Sequence, residues 1–388
     1  MNHQIKTDNI FFLENSNLNY RMRQNYLFIL LAIAVLFSCR KEKKTTVALP
    51  IPTTPPISRM IINAQLLPLG NLSQVRSDIA VASAGNKIVF AGGLVQPNFY
   101  SSRVDIFDIT TNKWQTVELS QARSVIATAT LGKKIYFAGG ASNGRLSSRV
   151  DIYNTETNEW TTSELPNGNQ HLAGAASGNK VVFAGGAEAN ILDITTNTWS
   201  TASLSEKAGE GNCCQNEVTG ISASVIGSTI YFAGGLGWDV HNTIDIYNSS
   251  NNTWSTSLLA DYKGYAASVA VGNTNYWAGG YTFSSNTYGL TDMVEIRANI
   301  GESTLGTLFQ KNGQFSAVQK NDSIIFFTGL GAEKNKFDVY DISNKNWFIG
   351  KLPQFIEGAA IISVDNKVYI AGGKVNGSPT DEVWTLNF

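Results

Sequence analysis

Lys87-Ile88-Val89-Phe90-Ala91-Gly92-Gly93 is a short apolar run closed by two glycines, and the chain repeats it. KIYFAGG ends at Gly140, KVVFAGG at Gly186, TIYFAGG at Gly235, TNYWAGG at Gly280 and KVYIAGG at Gly373, while SIIFFTGLG around Gly329 is a degenerate copy. The first glycines stand at 92, 139, 185, 234, 279, 329 and 372, an interval that holds one supersecondary unit, so the sequence contains seven such units.

Around the motif, the first unit contains four alternating apolar segments: DIAVASAG, KIVFAGG, RVDIFDI and WQTVEL. Gly85-Asn86, a longer loop and Thr111-Asn112-Lys113 join them, and period-two alternation between turn residues predicts four antiparallel strands, a to d. The paired glycines end strand b, where a missing Cβ permits positive φ and close backbone approach. Trp114, Trp160, Trp199, Trp254 and Trp347 open strand d and are expected to bury against the neighbouring blade. Asp105, Asp151, Asp245, Glu295 and Asp338 recur in strand c once per unit, a regularity that points to a structural role.

Four-stranded units of this period, with Gly-Gly after strand b and a Trp further on, resemble the kelch family of β-propellers. The resemblance runs from about residue 60 onward and implies an all-β fold, a seven-bladed propeller of four-stranded antiparallel blades. The fifth unit departs from it, having Glu295-Ile296-Arg297 and no Trp where the others place one. Glu382-Val383-Trp384-Thr385-Leu386 matches strand c, so the last unit lacks a strand d at the C-terminus. The segment Ile61–Leu66, followed by NLSQVRSD, parallels WQTVEL followed by SQARSV. An N-terminal strand should therefore complete blade 7 and close the ring, removing an exposed sheet edge.

The N-terminus reads as an export signal. Arg21 and Arg23 precede the apolar run Tyr26–Phe37, which is too short to span a bilayer, and Ser38, Cys39 and a basic stretch follow. Leu36-Phe37-Ser38-Cys39 resembles the lipobox of bacterial lipoproteins, which implies cleavage before Cys39 and a diacylglyceryl group on its thiol. The alternative is an ordinary cleaved signal, but no A-x-A-like site follows. Met22 opens a signal of conventional length, so residues 1–21 read as an extension or a mis-assigned start, 22–38 as the signal, 39–58 as a Pro-rich tether and 59–388 as the propeller. The implied location is the outer membrane or cell surface, on the periplasmic or extracellular side, with the lipid bilayer as one partner.

A net charge of −1 gives no basic face for nucleic acid. Three histidines in the whole chain leave little for a multi-histidine metal site, and no phosphate loop, calcium loop or nucleophile elbow occurs. The expectation is a monomer with no cofactor and no metal. Cys213-Cys214 are adjacent in the loop before blade 4, and a strained vicinal disulfide and two free thiols remain open, with metal binding as the remainder.

Strand alternation puts the b–c and d–a loops on one face, where loop length varies most and where function belongs if it is local. The aromatics Phe99, Tyr100, Trp238, Tyr281, Phe283 and Tyr288 concentrate there. The residue leading into strand a is Arg76, Arg123, Asn169, Val218, Lys263, Asn312 or Ile356, blade by blade. These should ring the channel mouth and, with His171 nearby, make it positive. The candidate ligand site is therefore Arg76, Arg123, His171, Lys263, Trp238 and Tyr281, suited to an acidic sugar or an acidic side chain. The weight falls on a non-enzymatic binding or scaffold module for a glycan or protein. The alternative is a carbohydrate-active enzyme resembling the sialic-acid mutarotases among kelch proteins.

Overall fold

The computed structural model describes residues 59–205, 219–237, 240–284, 287–298, 303–327, 329 and 331–388. The segments expected to be an export signal and a tether, with Cys39, Cys213, Cys214 and Trp238, lie outside them.

Seven sheets follow the seven units. Blade 1 is Ala80–Ala84, Lys87–Ala91, Arg103–Asp108 and Lys113–Glu118, each strand antiparallel to the next. Blades 2, 3 and 4 repeat this order from Ala127 to Glu164, from Ala173 to Ser203 and from Ser222 to Leu258. Blade 5 is Ala267–Val271, Thr274–Ala278, Thr287–Ala298 and Ser303–Asn312. Blade 6 is Ala317–Lys320, Ser323–Phe326, Lys336–Asp341 and Asn346–Lys351. Blade 7 takes Ala360–Val364, Lys367–Ala371 and Glu382–Asn387 from the C-terminus. Its fourth strand, Gln65–Asn71, comes from the N-terminal side and pairs antiparallel with Glu382–Asn387.

The ring closes as the sequence predicts, with one difference. Ile61–Leu66 is not one strand. Ile61–Asn63 pairs in parallel with the outer strand of blade 6, Ala64 donates its N–H to Lys351 O and is buried at the crossing, and only from Gln65 does the chain serve blade 7. Arg59, just before, binds Asp338 of blade 6, donates to Thr307 O of blade 5 and sits over the Trp347 ring.

Core packing runs between blades. Val89, Ala91 and Val104 of blade 1 join Ile135, Phe137 and Tyr153 of blade 2 in one buried cluster, and Trp160 packs against it. Each such large side chain stabilises the fold by about 1.5–3 kcal/mol. The strand-d tryptophans meet the preceding blade, as expected. Trp199 donates Nε1–H to Ser163 Oγ of blade 2 at 2.9 Å, and the Trp114 ring covers Gly70 of blade 7. In blade 5, Arg297 takes over this duty, donating to Ser257 Oγ and Leu258 O of blade 4. Ser257 and Ser163 occupy the same place, three residues after the strand-d Trp of their blades.

The double glycine has a direct physical cause. In blade 1 both glycines have positive φ, and Gly93 N–H donates to Arg123 O of the next blade at 2.9 Å. A Cβ on Gly92 would lie 2.5 Å from that same carbonyl. The bond recurs as Gly140 to Asn169 O, Gly235 to Lys263 O, Gly280 to Asn312 O and, across the closure, Gly373 to Arg76 O. Strand a of each blade faces the axis. Val81, Thr128, Gly174, Ala223, Ala270 and Ile362 are among the residues bordering a narrow central cavity of about 490 Å³. Small side chains let the inner strands approach, and Thr128 and Ser268 hydroxyls donate to Val81 O and Ala223 O of the preceding blades.

Candidate functional site

The cations expected at the channel mouth are elsewhere. Arg76, Arg123 and Lys263 are each 0% exposed. Arg76 donates to Gly92 O and to Asp105, and Arg123 to Gly139 O and to Asp151 at 2.5 Å. Lys263 donates to Met293 O. The guanidinium of Arg76 is drawn down to about 10 and the ammonium of Lys263 to about 8 by burial, partly offset by nearby carboxylates. These groups clamp strands inside the blades rather than lining the mouth. A long side chain at the start of strand a turns back into its own blade because the strand-c acid and two strand-end carbonyls are waiting there.

The strand-c acids carry the other half of the joint. Asp105 Oδ1 accepts the N–H of Ser73 at the end of blade 7, and Asp151 that of Ser120 at the end of blade 1. Asp245, Glu295 and Asp338 accept from Ser205, Ala260 and Phe309 in the same way. A cationic lead-in residue always comes with an acid in strand c, although blades 4 and 6 have the acid with Val218 and Asn312 at the lead-in. Arg76 and Arg123 face acids, Asn169 belongs to the blade with Asn190, and Ile356 to the blade with Trp384. Asn312 is neutral although its blade has Asp338, and there Arg59 supplies the charge. In blades 1 and 2 the lead-in arginine is thus paired with the strand-c acid of its own blade.

The residues that do rim the mouth stand two positions further on. Asp78, Val125, His171, Gly220, Tyr265, Gln314 and Gly358 all have φ between 51° and 65°, one per blade. Neighbours bond around the rim: Asp78 N–H to Gly358 O, Tyr265 N–H to Gly220 O, and Gln314 N–H to Tyr265 O. A left-handed backbone suits Gly220 and Gly358, but costs roughly 1–2 kcal/mol at Val125, His171 or Tyr265. Such strain at adjacent blades marks the rim as the place to look for function.

Three rim aromatics meet over blade 4. The edge of His171 meets Tyr265 with centroids 5.8 Å apart, Tyr265 meets Tyr281 at 6.2 Å, and the Tyr265 hydroxyl donates to Thr219 Oγ1 at 2.9 Å. The Tyr265 ring lies directly on Gly220, leaving no room there for a Cβ. All three rings are partly exposed, and burial lowers the His171 pKa, so its imidazole is neutral near pH 7. Of the residues predicted for the site, the structure thus brings together His171 and Tyr281, separates Arg76, Arg123 and Lys263 from solvent, and leaves Trp238 outside the described residues. Tyr265 and Thr219 were missed. Reading the same blade alignment two positions later, where Gly220 and Gly358 betray positive φ, would have found the rim.

Above the rim, short b–c hairpins rise from blades 1, 2, 5 and 7. Phe99 and Tyr288 stand exposed on those of blades 1 and 5, and the Tyr288 ring pairs with Phe283 at 4.9 Å. Among the described residues no group of three His, Cys, Asp or Glu could hold a metal ion.

This geometry defines a seven-bladed β-propeller of four-stranded blades. A family model described as the KLHDC2/KLHL20/DRC7 Kelch-repeats domain matches residues 65–235, the stretch that closes blade 7 and runs through the regular blades up to the fourth glycine pair. The match stops short of blade 5, which lacks the Trp, and blade 6, which lacks the paired glycines. No curated protein matches the chain in sequence. The solved structure of YjhT is similar with a TM-score of 0.51 and 14% identity, over 81% of this chain and 95% of that one, a likeness of fold alone.

Proposed function

We propose that the chain is a binding module that takes a neutral glycan at the rim of the propeller, on the His171–Tyr265–Tyr281 cluster. The observation behind this reading is the strained rim itself: seven left-handed positions filled by dissimilar residues, with three aromatic rings converging at blades 3 to 5. Aromatic faces stack on the apolar faces of sugar rings, and the Thr219 and Tyr265 hydroxyls and a neutral imidazole supply hydrogen bonds. With Arg76, Arg123 and Lys263 engaged inside the blades, an acidic sugar has lost the groups that recommended it.

The setting of this module belongs to the same proposal. Cys39 would carry the lipid, residues 39–58 would serve as the tether, and the propeller would be displayed as a monomer from the outer membrane or cell surface. A glycan array read with the soluble propeller tests the ligand class. Binding to neutral glycans that is lost in Tyr265→Ala and His171→Ala is the expected result; binding unchanged in both would remove the rim from consideration. The second reading, a mutarotase-like enzyme, is favoured only by the neutral His171 at the mouth, and anomer exchange by NMR on any bound sugar distinguishes it.

A further inference from the structure

Blade 5 differs from the others on the face it turns to blade 4. Asn275, Trp277, Glu295 and Arg297 share that face, since Asn275 lies opposite Arg297 and Trp277 opposite Glu295 on adjacent strands. Blade 1 has Ile88, Phe90, Asp105 and Phe107 at these places. Trp277 packs among Tyr231, Ile244 and Ile246 of blade 4, and the Arg297 guanidinium lies 6.0 Å from the Trp277 ring centre. Asn275 and Trp277 are 0% exposed and Arg297 7%. Yet Asn275 Nδ2 and Oδ1, Trp277 Nε1 and Arg297 Nε have no hydrogen-bonding partner.

We infer that this seam between blades 4 and 5 is an internal hydration site, binding ordered water between Asn275, Trp277 and Arg297. Leaving buried polar atoms unpaired is costly, and buried waters characteristically join two to four such groups. Four N–H bonds and one carbonyl oxygen are unpaired on this face, and two waters can accept from the four N–H bonds while one of them donates to Asn275 Oδ1. An anion would satisfy the donors but not Asn275 Oδ1, and Arg297 is already paired with Glu295. Asn275 stands where the other blades place Ile or Val, so the unpaired amide is peculiar to this blade. The inference is independent of what the rim binds.

A crystal structure of the propeller at high resolution is the test, with a bromide soak and thermal melts of Asn275→Ile beside it. Ordered water within hydrogen-bonding distance of Trp277 Nε1, Arg297 Nε and the Asn275 amide is expected, with a lower melting temperature for Asn275→Ile because the waters lose partners. A dry seam, or a higher melting temperature for the variant, overturns the inference. An anomalous bromide peak at the seam overturns it in favour of an anion site. If the variant does not fold, the wild-type density decides alone.

Discussion

Ser73 donates its backbone N–H to Asp105 Oδ1 at 3.0 Å, and so joins the last strand of blade 7 to the third strand of blade 1. The other oxygen of the same carboxylate holds Arg76, so one buried side chain ties a blade to its predecessor and to its own first strand.

Removing one member of this pair should cost far more than removing both. Asp105→Leu leaves Arg76 buried and uncompensated, with an expected loss of about 3–5 kcal/mol in chemical denaturation. The double variant Arg76→Met with Asp105→Leu should lose clearly less than the two single variants summed, and a double-mutant cycle measures the difference. Additive losses would show that the pair is not a coupled unit.

Glycine positions should separate cleanly by location. Gly372→Ala places a Cβ 2.6 Å from Arg76 O at the ring closure, on a left-handed backbone, whereas Gly132→Ala at an a–b turn meets nothing within 4 Å. The turn variant should lose about 1 kcal/mol and the closure variant several times that. Urea midpoints compare them.

Acidity should stabilise blade 6. Burial, against the opposing pull of Arg59, pushes the Asp338 carboxyl up to about 7. A raised folded-state value means that the contribution is fully present below pH 4 and is lost as pH rises through 7, by at most roughly 1.4 kcal/mol per pH unit. Lys263 acts higher: its value lowered to about 8 means stability gained as pH climbs from 8 toward 10.5. Melting temperatures of wild type and Asp338→Asn across pH 4 to 8 should drift apart, with the wild type losing ground as pH rises. Parallel curves would refute the assignment.

Gly220 offers a way to disturb the rim without touching its aromatics. A methyl group there displaces the Tyr265 ring, so Gly220→Ala should weaken glycan binding about as much as Tyr265→Ala does. Calorimetry on a glycan found by array gives the comparison, and full affinity in Gly220→Ala would argue that Tyr265 is a bystander.

The parts of the fold that repeat were readable because each copy meets the same neighbour. Gly-Gly, the strand-d Trp and the strand-c acid all answer a contact made in successive blades, and the missing strand of blade 7 announced an N-terminal replacement at Ile61–Leu66, of which only Gln65 and Leu66 belong to it. Even the exceptions are written in the chain. Where Pro166 or Pro353 follows the last leucine of a blade and so offers no N–H, the next blade has Asn190 or Trp384 in place of the acid.

What repetition could not reveal was direction and substitution by unlike chemistry. Nothing in the sequence of Arg76 says that it folds back toward Asp105 rather than out to solvent. Arg297 does the work of a tryptophan from a different strand, which no alignment by residue type would suggest. Ala64 splits one expected strand in two because the sheet it first meets belongs to blade 6.

That split sets the order in which a pull on the N-terminal side would meet the ring. Tension arriving along the chain at Arg59 meets its pair with Asp338, then the three parallel residues Ile61–Asn63, before it reaches the strand that latches blade 7. Blade 6 would thus take such a pull first, as a clamp does on a cable behind its plug, ahead of the latch.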